Sequence, residues 1–452
     1  MQSIVSHTLR HHTFITVLAG LFLFVSTAFS ETGPPKVTCK VETDRDVLPA
    51  GPSHTAVIKV TLDAPPAPAH LARPAVNLSI VLDRSGSMGG EKIRKAQEAA
   101  IEAVKRLSRE DIFSLVIYDD TMDTIIPAQN VLDIEPIISK IQMIRPGGGT
   151  ALFGGVSQAA SEIRKHLSGS YVHRIILLSD GLANVGPDTP EDLGRLGASL
   201  IKEDISVTTV GVGTDYNEDL MARLAQKSDG NTYFVEQSQD LPRIFTAELG
   251  DVLNVVAKSV KVIIETIDGV TPLSIIGREG RIKGKQVLLS MNQLYGAQQK
   301  FALVECALPD TQAGTKKEIA RAVVTYEDPF TQKNERAESL KIATFSEDET
   351  EVRQSANISV IKDYQLNMNA LAQEKAISLS DKGKTKEAVL TLKSSAAQLK
   401  SVGSAYKNEE LLEQAATLEK KAEQIDQEGM SKKSRKLLRT ESYQMKNQQG
   451  ER

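Results

Sequence analysis

A mostly apolar strand runs directly into a turn that is rich in side-chain oxygens. Residues 76–82 have the composition of a buried strand, and the chain continues as Asp-Arg-Ser-Gly-Ser over residues 83–87. This Asp-x-Ser-x-Ser pattern places one carboxylate and two hydroxyls on one tight turn. Hard divalent cations prefer oxygen ligands of this kind. The pattern therefore predicts a metal site at the end of a buried strand.

Two further oxygen donors follow other predicted elements. Thr150 comes after the glycine run at residues 147–149, and Asp180 ends the apolar run at residues 175–179. In an open parallel sheet, ligands bind at the carboxyl ends of the strands. We therefore expect these donors to meet in one site for Mg²⁺, or else for Mn²⁺ or Ca²⁺. The predicted members of the site are Asp83, Ser85, Ser87, Thr150 and Asp180.

Hydroxyls and carboxylates have different expected roles in this site. Mg²⁺ needs only a few protein ligands, and the three hydroxyls can bind it without cancelling its charge. Asp83 and Asp180 are expected to act through waters and hydrogen bonds that orient those hydroxyls. An ion held mainly by neutral groups stays electron-poor, so its open position is expected to attract a carboxylate from a partner protein.

Residues 76–257 alternate near-continuous apolar strands with amphipathic helices. In the first of these helices Ile93, Ala96, Ala100 and Val104 fall on one apolar stripe, opposite a charged face. Strands that are apolar on both sides need cover on both faces of their sheet. The pattern therefore predicts a doubly wound α/β domain with a parallel sheet.

The flanking segments have other periodicities. Residues 31–75 and 258–352 alternate with the period of two that is typical of antiparallel strands. Because residues 31–75 are too few to fold alone, we expect them to join the later β domain, with the α/β domain inserted between. Residues 353–430 predict a helical hairpin or bundle. The basic residues 431–452 predict a mobile tail, with contact to a membrane or an acidic partner as an alternative.

Residues 1–30 have the features of a secretory signal peptide. Basic and polar residues precede an apolar run at residues 14–25, and small residues such as Ala28 and Ser30 follow it. The apolar run is shorter than the roughly 20 residues that span a membrane. We expect a mature protein that is secreted or periplasmic and has no transmembrane segment.

The two cysteines, Cys39 and Cys306, lie far apart in predicted strands. An oxidising compartment would permit one disulfide between them. Two separately buried thiols are equally compatible with the sequence, because spacing alone does not show whether the cysteines meet.

Three segments of the α/β region resemble the von Willebrand factor A domain. They are Asp83–Met88, Gly147–Leu152 and Leu178–Gly181. The resemblance implies a Rossmann-like fold over residues 76–257 whose metal-ion-dependent adhesion site (MIDAS) binds protein ligands through magnesium or manganese. Val210–Gly213 and Leu220–Ala225 are also similar to exported bacterial members and to chloride-channel-regulator-like relatives. The other segments resemble accessory regions of such proteins only loosely.

Composition and motifs argue against two other classes of protein. The net charge of −4 provides no general attraction for nucleic acid. The chain has no Trp and only 4% aromatic residues, so few side chains could stack on nucleic-acid bases. The serines of the turn miss the Gly-x-Ser-x-Gly spacing of a serine hydrolase, and the chain contains no His-Glu-x-x-His motif of a zinc protease. The sequence therefore predicts a protein without enzymatic activity.

The expected function is metal-dependent protein interaction, as in adhesion or scaffolding, with a partner that presents Asp or Glu. Two alternatives stay open. One is an accessory subunit that assembles or regulates a larger envelope complex. The other is a structural envelope protein whose metal site is idle. Asp119, Asp120 and Asp123 lie close enough in the predicted topology to tune the rim of the site, but their composition favours a solvated turn.

Overall fold

The computed structural model describes residues 35–450, so the predicted signal peptide lies outside the described residues. Three strands come first, and the third of them is almost wholly buried because a neighbouring strand lies on each side of it. The three strands are β1 (Thr38–Thr43), β2 (Val47–Pro49) and β3 (Thr55–Asp63).

Six strands and six α-helices form the α/β domain. They are β4 (Ala75–Asp83), α1 (Glu91–Val104), β5 (Ile112–Tyr118), β6 (Met122–Asn130), α2 (Glu135–Gln142), α3 (Leu152–Arg164), β7 (Tyr171–Ser179), α4 (Pro190–Leu200), β8 (Ile205–Val212), α5 (Glu218–Ser228), β9 (Thr232–Val235) and α6 (Leu241–Val252). The strands form one sheet in the order β6-β5-β4-β7-β8-β9. One core layer packs α1, α2 and α6 against the sheet, and a second packs α3, α4 and α5 on its other face.

This sheet confirms the doubly wound α/β fold, with one difference from the predicted parallel sheet. Strands β4, β5, β7, β8 and β9 are parallel, but the edge strand β6 is antiparallel to β5. Only residues 119–121 connect β5 to β6, which is too short for a parallel crossover and suits a hairpin. The central strands β4 and β7 end side by side, and their carboxyl ends bring Asp83 and Asp180 to the same edge of the sheet.

The chain then forms a second set of strands. They are β10 (Val255–Thr266), β11 (Thr271–Ile276), β12 (Arg281–Lys283), β13 (Gln286–Tyr295), β14 (Gln299–Ala307), β15 (Lys316–Asp328) and β16 (Lys333–Ser346). Two sheets result, in the orders β1-β3-β14-β11 and β12-β13-β10-β15-β16-β2, and one apolar core contains residues of both. The N-terminal strands thus join the later ones, and the α/β domain is inserted into a β sandwich. The first strand after the insertion begins at Val255, slightly before the expected boundary at residue 258.

Cys39 and Cys306 do not form a disulfide in this sandwich. Cys39 pairs with Leu62 of β3, whereas Cys306 pairs with Ala56 on the other side of the same strand. Six residues of strand separate the two positions by about 20 Å, and a disulfide needs Cα atoms within about 7 Å. Both thiols are free, and burial raises the pKa of Cys39 to about 11 and that of Cys306 to about 12. Of the two alternatives that the sequence left open, the structure therefore shows separate thiols.

Five helices follow the sandwich, and three of them build the predicted bundle. They are α7 (Glu349–Gln354), α8 (Ile358–Asp381), α9 (Thr385–Tyr406), α10 (Glu409–Glu428) and α11 (Lys432–Asn447). The core of the bundle lies among α8, α9 and α10 and contains Leu392, Leu399, Leu411 and Leu418. α9 continues through Gly403, and Leu411 and Leu412 of α10 pack closely against that glycine.

The prediction of a mobile tail at residues 431–452 is wrong for residues 432–447, which form the packed helix α11. Arg435 pairs with Glu218 and Asp219 at the first turn of α5, and Lys436 lies 2.7 Å from Glu218. The buried Tyr443 donates a hydrogen bond to the carbonyl oxygen of Gly230. The basic composition suggested solvation, but the acidic start of α5 supplies the partners that hold this helix against the α/β domain.

A buried arginine connects the α/β domain to the sandwich. Arg174 of β7 donates hydrogen bonds of 2.6 Å to Gln293 and 2.8 Å to the Tyr295 hydroxyl, both of which belong to β13. Glu248 of α6 lies 3.4 Å from the same guanidinium and is fully buried with it. Removing either Arg174 or Glu248 would leave an uncompensated buried charge. The contacts of Arg174 therefore favour one relative position of the α/β domain and the sandwich.

Among residues 35–450, no helix combines the length and the apolar composition that a membrane span requires.

His173 should make the protein acid-sensitive. Burial lowers the pKa of this β7 side chain from 6.5 to about 4, and its Nδ1 atom has no hydrogen-bond partner. The unfolded chain therefore binds a proton at a higher pH than the folded chain does. Stability is fully present above pH 6.5 and falls as the pH decreases towards 4. Between pH 7 and 4.5 the loss from this residue should be about 2.5 kcal/mol.

Urea unfolding of the wild type and His173→Gln at both pH values measures this contribution. The variant should lose less stability than the wild type between pH 7 and pH 4.5, since glutamine does not titrate. An equal loss in both proteins would contradict the assignment.

Candidate metal site

The candidate site lies at the carboxyl ends of the central strands. Asp83 is the last residue of β4, and Asp180 directly follows β7. A single 3-10 turn at residues 86–88 follows Asp83 and carries Ser87, while Thr150 lies in the loop that precedes α3. Each of the five predicted residues therefore reaches the same edge of the sheet from one of three different loops.

The three hydroxyls face one small space beside Gly181. A Cβ atom built on Gly181 would lie 3.2 Å from Thr150 Oγ1, 3.3 Å from Ser87 Oγ and 3.8 Å from Ser85 Oγ. The two serine hydroxyls are 3.0 Å apart. Because Gly181 has no side chain, this space stays open between the three oxygens.

Asp180 is buried behind the hydroxyls and uses both of its oxygens. Its Oδ1 accepts a hydrogen bond of 2.6 Å from Ser87 Oγ. Its Oδ2 accepts a hydrogen bond of 2.5 Å from the ammonium of Lys92 on α1. The first contact orients a predicted ligand, and the second supplies a counter-charge for a carboxylate that has no exposed surface.

Asp83 is also fully buried and holds the turn that follows it. Its Oδ1 accepts a hydrogen bond of 2.8 Å from the Ser85 amide, and its Oδ2 accepts one of 2.8 Å from Ser179 Oγ. Burial raises the pKa of this carboxyl, against the opposing effect of these hydrogen bonds. Asp83 therefore positions Ser85 through the backbone, as expected for a carboxylate that supports the ligands.

Backbone and amide contacts lock the loops together. The amide of Gly86 donates to Gly148 O at 3.1 Å, and the amide of Gly147 donates to Arg84 O at 2.7 Å. Gly148 adopts φ +75°, a conformation that glycine adopts without strain. These contacts hold the glycine run against the Asp-x-Ser-x-Ser turn, so that Thr150 faces the two serines.

Sequence reasoning missed three side chains that complete the arrangement. Asn184 Oδ1 accepts a hydrogen bond of 2.8 Å from the Thr150 amide, Ser179 holds Asp83, and Lys92 pairs with Asp180. A signal for Lys92 was available, since it lies in the first turn of the helix that follows the Asp-x-Ser-x-Ser motif. The roles of Asn184 and Ser179 depend on contacts between loops and have no comparable signal.

Three acidic residues lie at the rim of the site, and two of them share one arginine. Arg84 lies 2.9 Å from Asp119 and 3.3 Å from Asp123. Asp120 is exposed, and its carboxylate lies so close to Gly149 that an added Cβ there would collide with it. These three residues border the site.

The donor set suits a hard divalent cation. It consists of three hydroxyls with two buried carboxylates behind them, and it contains no sulfur or imidazole. In residues 35–450, no group of three or more His, Cys, Asp or Glu side chains is placed to hold a metal. The open space among the hydroxyls and the oxygen chemistry fit the predicted kind of site.

A family model of the von Willebrand factor type A domain matches residues 77–247. Residues 77–247 are a von Willebrand factor type A domain. The matched range runs from β4 into α6 and includes all five predicted site residues.

One relative shares this A domain but is a larger protein. The uncharacterised protein YfbK of Escherichia coli is 29% identical over 194 residues, which are 42% of this chain and 34% of YfbK. The chain thus matches about a third of the length of that relative.

Two solved structures extend the likeness of fold beyond the A domain. A von Willebrand factor type A protein from Catenulispora acidiphila has a TM-score of 0.67 at 18% identity, over 84% of this chain and 90% of that one. The ArnB paralog VWA2 from Sulfolobus acidocaldarius has a TM-score of 0.62 at 18% identity, over 91% of this chain and 98% of that one. Both share the overall fold, including segments outside the A domain.

Filling the space beside Gly181 should impair metal binding. In Gly181→Ala, the new methyl group would lie among the three hydroxyls, and its contacts with Thr150 Oγ1 and Ser87 Oγ would be tighter than most Cβ atoms make. We expect Mg²⁺ binding to weaken by at least about tenfold, or about 1.4 kcal/mol, as measured by isothermal titration calorimetry.

Gly147→Ala is the matched control for this variant. It adds the same methyl group to a loop of the same site, but no atom lies within 4 Å of its new Cβ. Equal Mg²⁺ affinities in the two variants would contradict the proposed location of the ion.

Proposed function

We propose that this chain is an exported, non-enzymatic interaction protein that binds a partner's carboxylate through a divalent cation at the A-domain site. One observation carries the proposal: the hydroxyls of Ser85, Ser87 and Thr150 converge beside Gly181, with two buried carboxylates behind them. Mg²⁺ is the proposed ion, and Mn²⁺ or Ca²⁺ are the alternatives with the same ligand chemistry.

Each proposed residue has a defined task in this function. Ser85, Ser87 and Thr150 are the direct ligands, because their oxygens border the open space. Asp180 orients Ser87, and Asp83 orients Ser85 through its amide. When bound, the cation would supply a Lewis-acid position that takes an outside carboxylate.

The surface around the site suits a protein partner. Leu182 lies two residues after Asp180 and is 60% exposed. A large apolar side chain next to a polar anchor is typical of protein recognition surfaces. We infer that the partner presents an Asp or Glu flanked by an apolar side chain.

Export and adhesion follow from the signal-like composition of residues 1–30 together with this ligand chemistry. A secreted or periplasmic protein meets millimolar divalent cations and the surfaces of other proteins. The same setting suits the structural alternative with an idle metal site, which differs from our proposal only in whether the ion binds.

The helical bundle favours a second candidate function, an accessory subunit that docks into an envelope complex. A groove between α8 and α9 has a volume of about 590 Å³ and is lined by Met368 and Leu390, which is 66% exposed. Such a role would place the partner on the bundle and make binding independent of divalent cations.

Replacement of Asp83 tests whether the site binds metal. At a Mg²⁺ concentration 100 times the dissociation constant, the ion should stabilise the wild type by about 2.7 kcal/mol. Asp83→Asn keeps the shape but removes the charge, and we expect it to lose most of this effect in a thermal unfolding assay with Mg²⁺ or EDTA.

Asp120→Asn serves as the control, because it removes an exposed carboxylate at the rim and should keep the full Mg²⁺ effect. Identical Mg²⁺ shifts in the wild type and Asp83→Asn would support the idle site instead. Partner capture from an envelope fraction in Mg²⁺ and in EDTA then separates the two other functions, since docking on the bundle should survive EDTA.

A further inference from the structure

Lys92 places a cation of the protein itself beside the proposed metal site. Its ammonium lies 2.5 Å from Asp180 Oδ2, whereas Ser87 Oγ lies 2.6 Å from the other oxygen of the same carboxylate. Asp180 has no exposed surface, and about one third of the Lys92 side chain is exposed. One carboxylate thus links a predicted metal ligand to an ammonium group.

We propose that Lys92 is a tethered cation that satisfies Asp180 when no metal is bound and lowers the affinity of the site for divalent ions. This inference rests on the proposed function, because it assumes that the site binds a metal. It adds a residue that the Asp-x-Ser-x-Ser, Thr and Asp pattern does not contain.

The buried charge of Asp180 requires compensation in the folded chain. A buried charge without a partner is costly, so Asp180 needs a cation in the absence of metal. Lys92 fills that need. A divalent ion among the hydroxyls would bring two positive charges close to the same ammonium, and like charges at short range repel strongly where water is partly excluded. Lys92 therefore stabilises the metal-free site and opposes the loaded one.

The position of Lys92 allows its ammonium to leave without movement of the backbone. It lies on α1 and reaches Asp180 with a long, flexible side chain that is partly in water. A Cβ built on Gly213, in the loop after β8, would lie 3.9 Å from Lys92 Nζ. The exposed Asp215 lies two residues further along that loop and currently pairs with Lys432 at 2.9 Å. Solvent and the carboxylate of Asp215 therefore both lie in the region that the Lys92 ammonium would enter on leaving Asp180.

Isothermal titration calorimetry with Mg²⁺ alone tests the inference in the full chain. Lys92→Met should bind Mg²⁺ at least about tenfold more tightly than the wild type, which corresponds to about 1.4 kcal/mol. Lys92→Arg keeps the positive charge and should stay close to the wild type. Lys92→Gln keeps a hydrogen-bond donor without the charge, and it should also bind more tightly, which covers the case that the methionine variant folds poorly.

Lys95→Met is the matched control. Lys95 lies on the same helix with a similar exposure, and its partner is Glu98 at 2.7 Å rather than a residue of the site. Its replacement should leave the Mg²⁺ affinity unchanged.

Thermal unfolding in EDTA gives a second readout. Lys92→Met should melt at a lower temperature than the wild type without metal, because Asp180 loses its counter-charge, and it should gain more from Mg²⁺. If Lys92→Met and Lys92→Gln bind Mg²⁺ no more tightly than the wild type, the inference is overturned while metal binding by the wild type still stands. If neither the wild type nor any variant binds Mg²⁺, both the inference and the proposed function are overturned.

Discussion

Two carboxylates that are removed from water, Asp83 and Asp180, impose the organisation of the site. A buried charge is tolerated only where hydrogen bonds or opposite charges compensate it. Asp83 obtains this compensation from Ser179 and from the amide of Ser85, and Asp180 obtains it from Ser87 and Lys92. The same contacts orient two of the three hydroxyls. The hydrogen bonds that compensate the buried charges therefore also position the proposed metal ligands.

The rest of the fold holds the A domain that carries these carboxylates. The domain leaves the β sandwich after β3 and returns to it at β10, so the chain anchors it at both ends. The buried Arg174 joins it to β13, and the basic residues of α11 join it to the start of α5. A partner bound at the site would therefore act on a domain with covalent, buried polar and ionic connections to the rest of the chain.

Much of this was predictable because it depends on local patterns. The period of the apolar residues indicated the alternating strands and helices, and the ends of β4 and β7 indicated where Asp83 and Asp180 would lie. Three features depend on how distant elements pair, although the position of Lys92 in the first turn after the Asp-x-Ser-x-Ser motif gave a signal for one of them. The separation of Cys39 and Cys306 follows from their positions on opposite sides of β3. The packing of α11 needs the acidic start of α5, and the Lys92 contact needs the first turn of α1 to face β7.

The sequence by itself determined the α/β class of the central domain, the insertion into a β segment and the five oxygen-bearing residues, because periodicity and turn chemistry act over short stretches of chain. Only the tertiary structure decided that the three hydroxyls share the space beside Gly181, that Lys92 neutralises Asp180 and that the basic C-terminal residues form a packed helix. Each of these depends on a pairing between distant elements. Composition does not encode such pairings, because the energy of a charge or a hydroxyl depends on the groups that surround it in the folded chain.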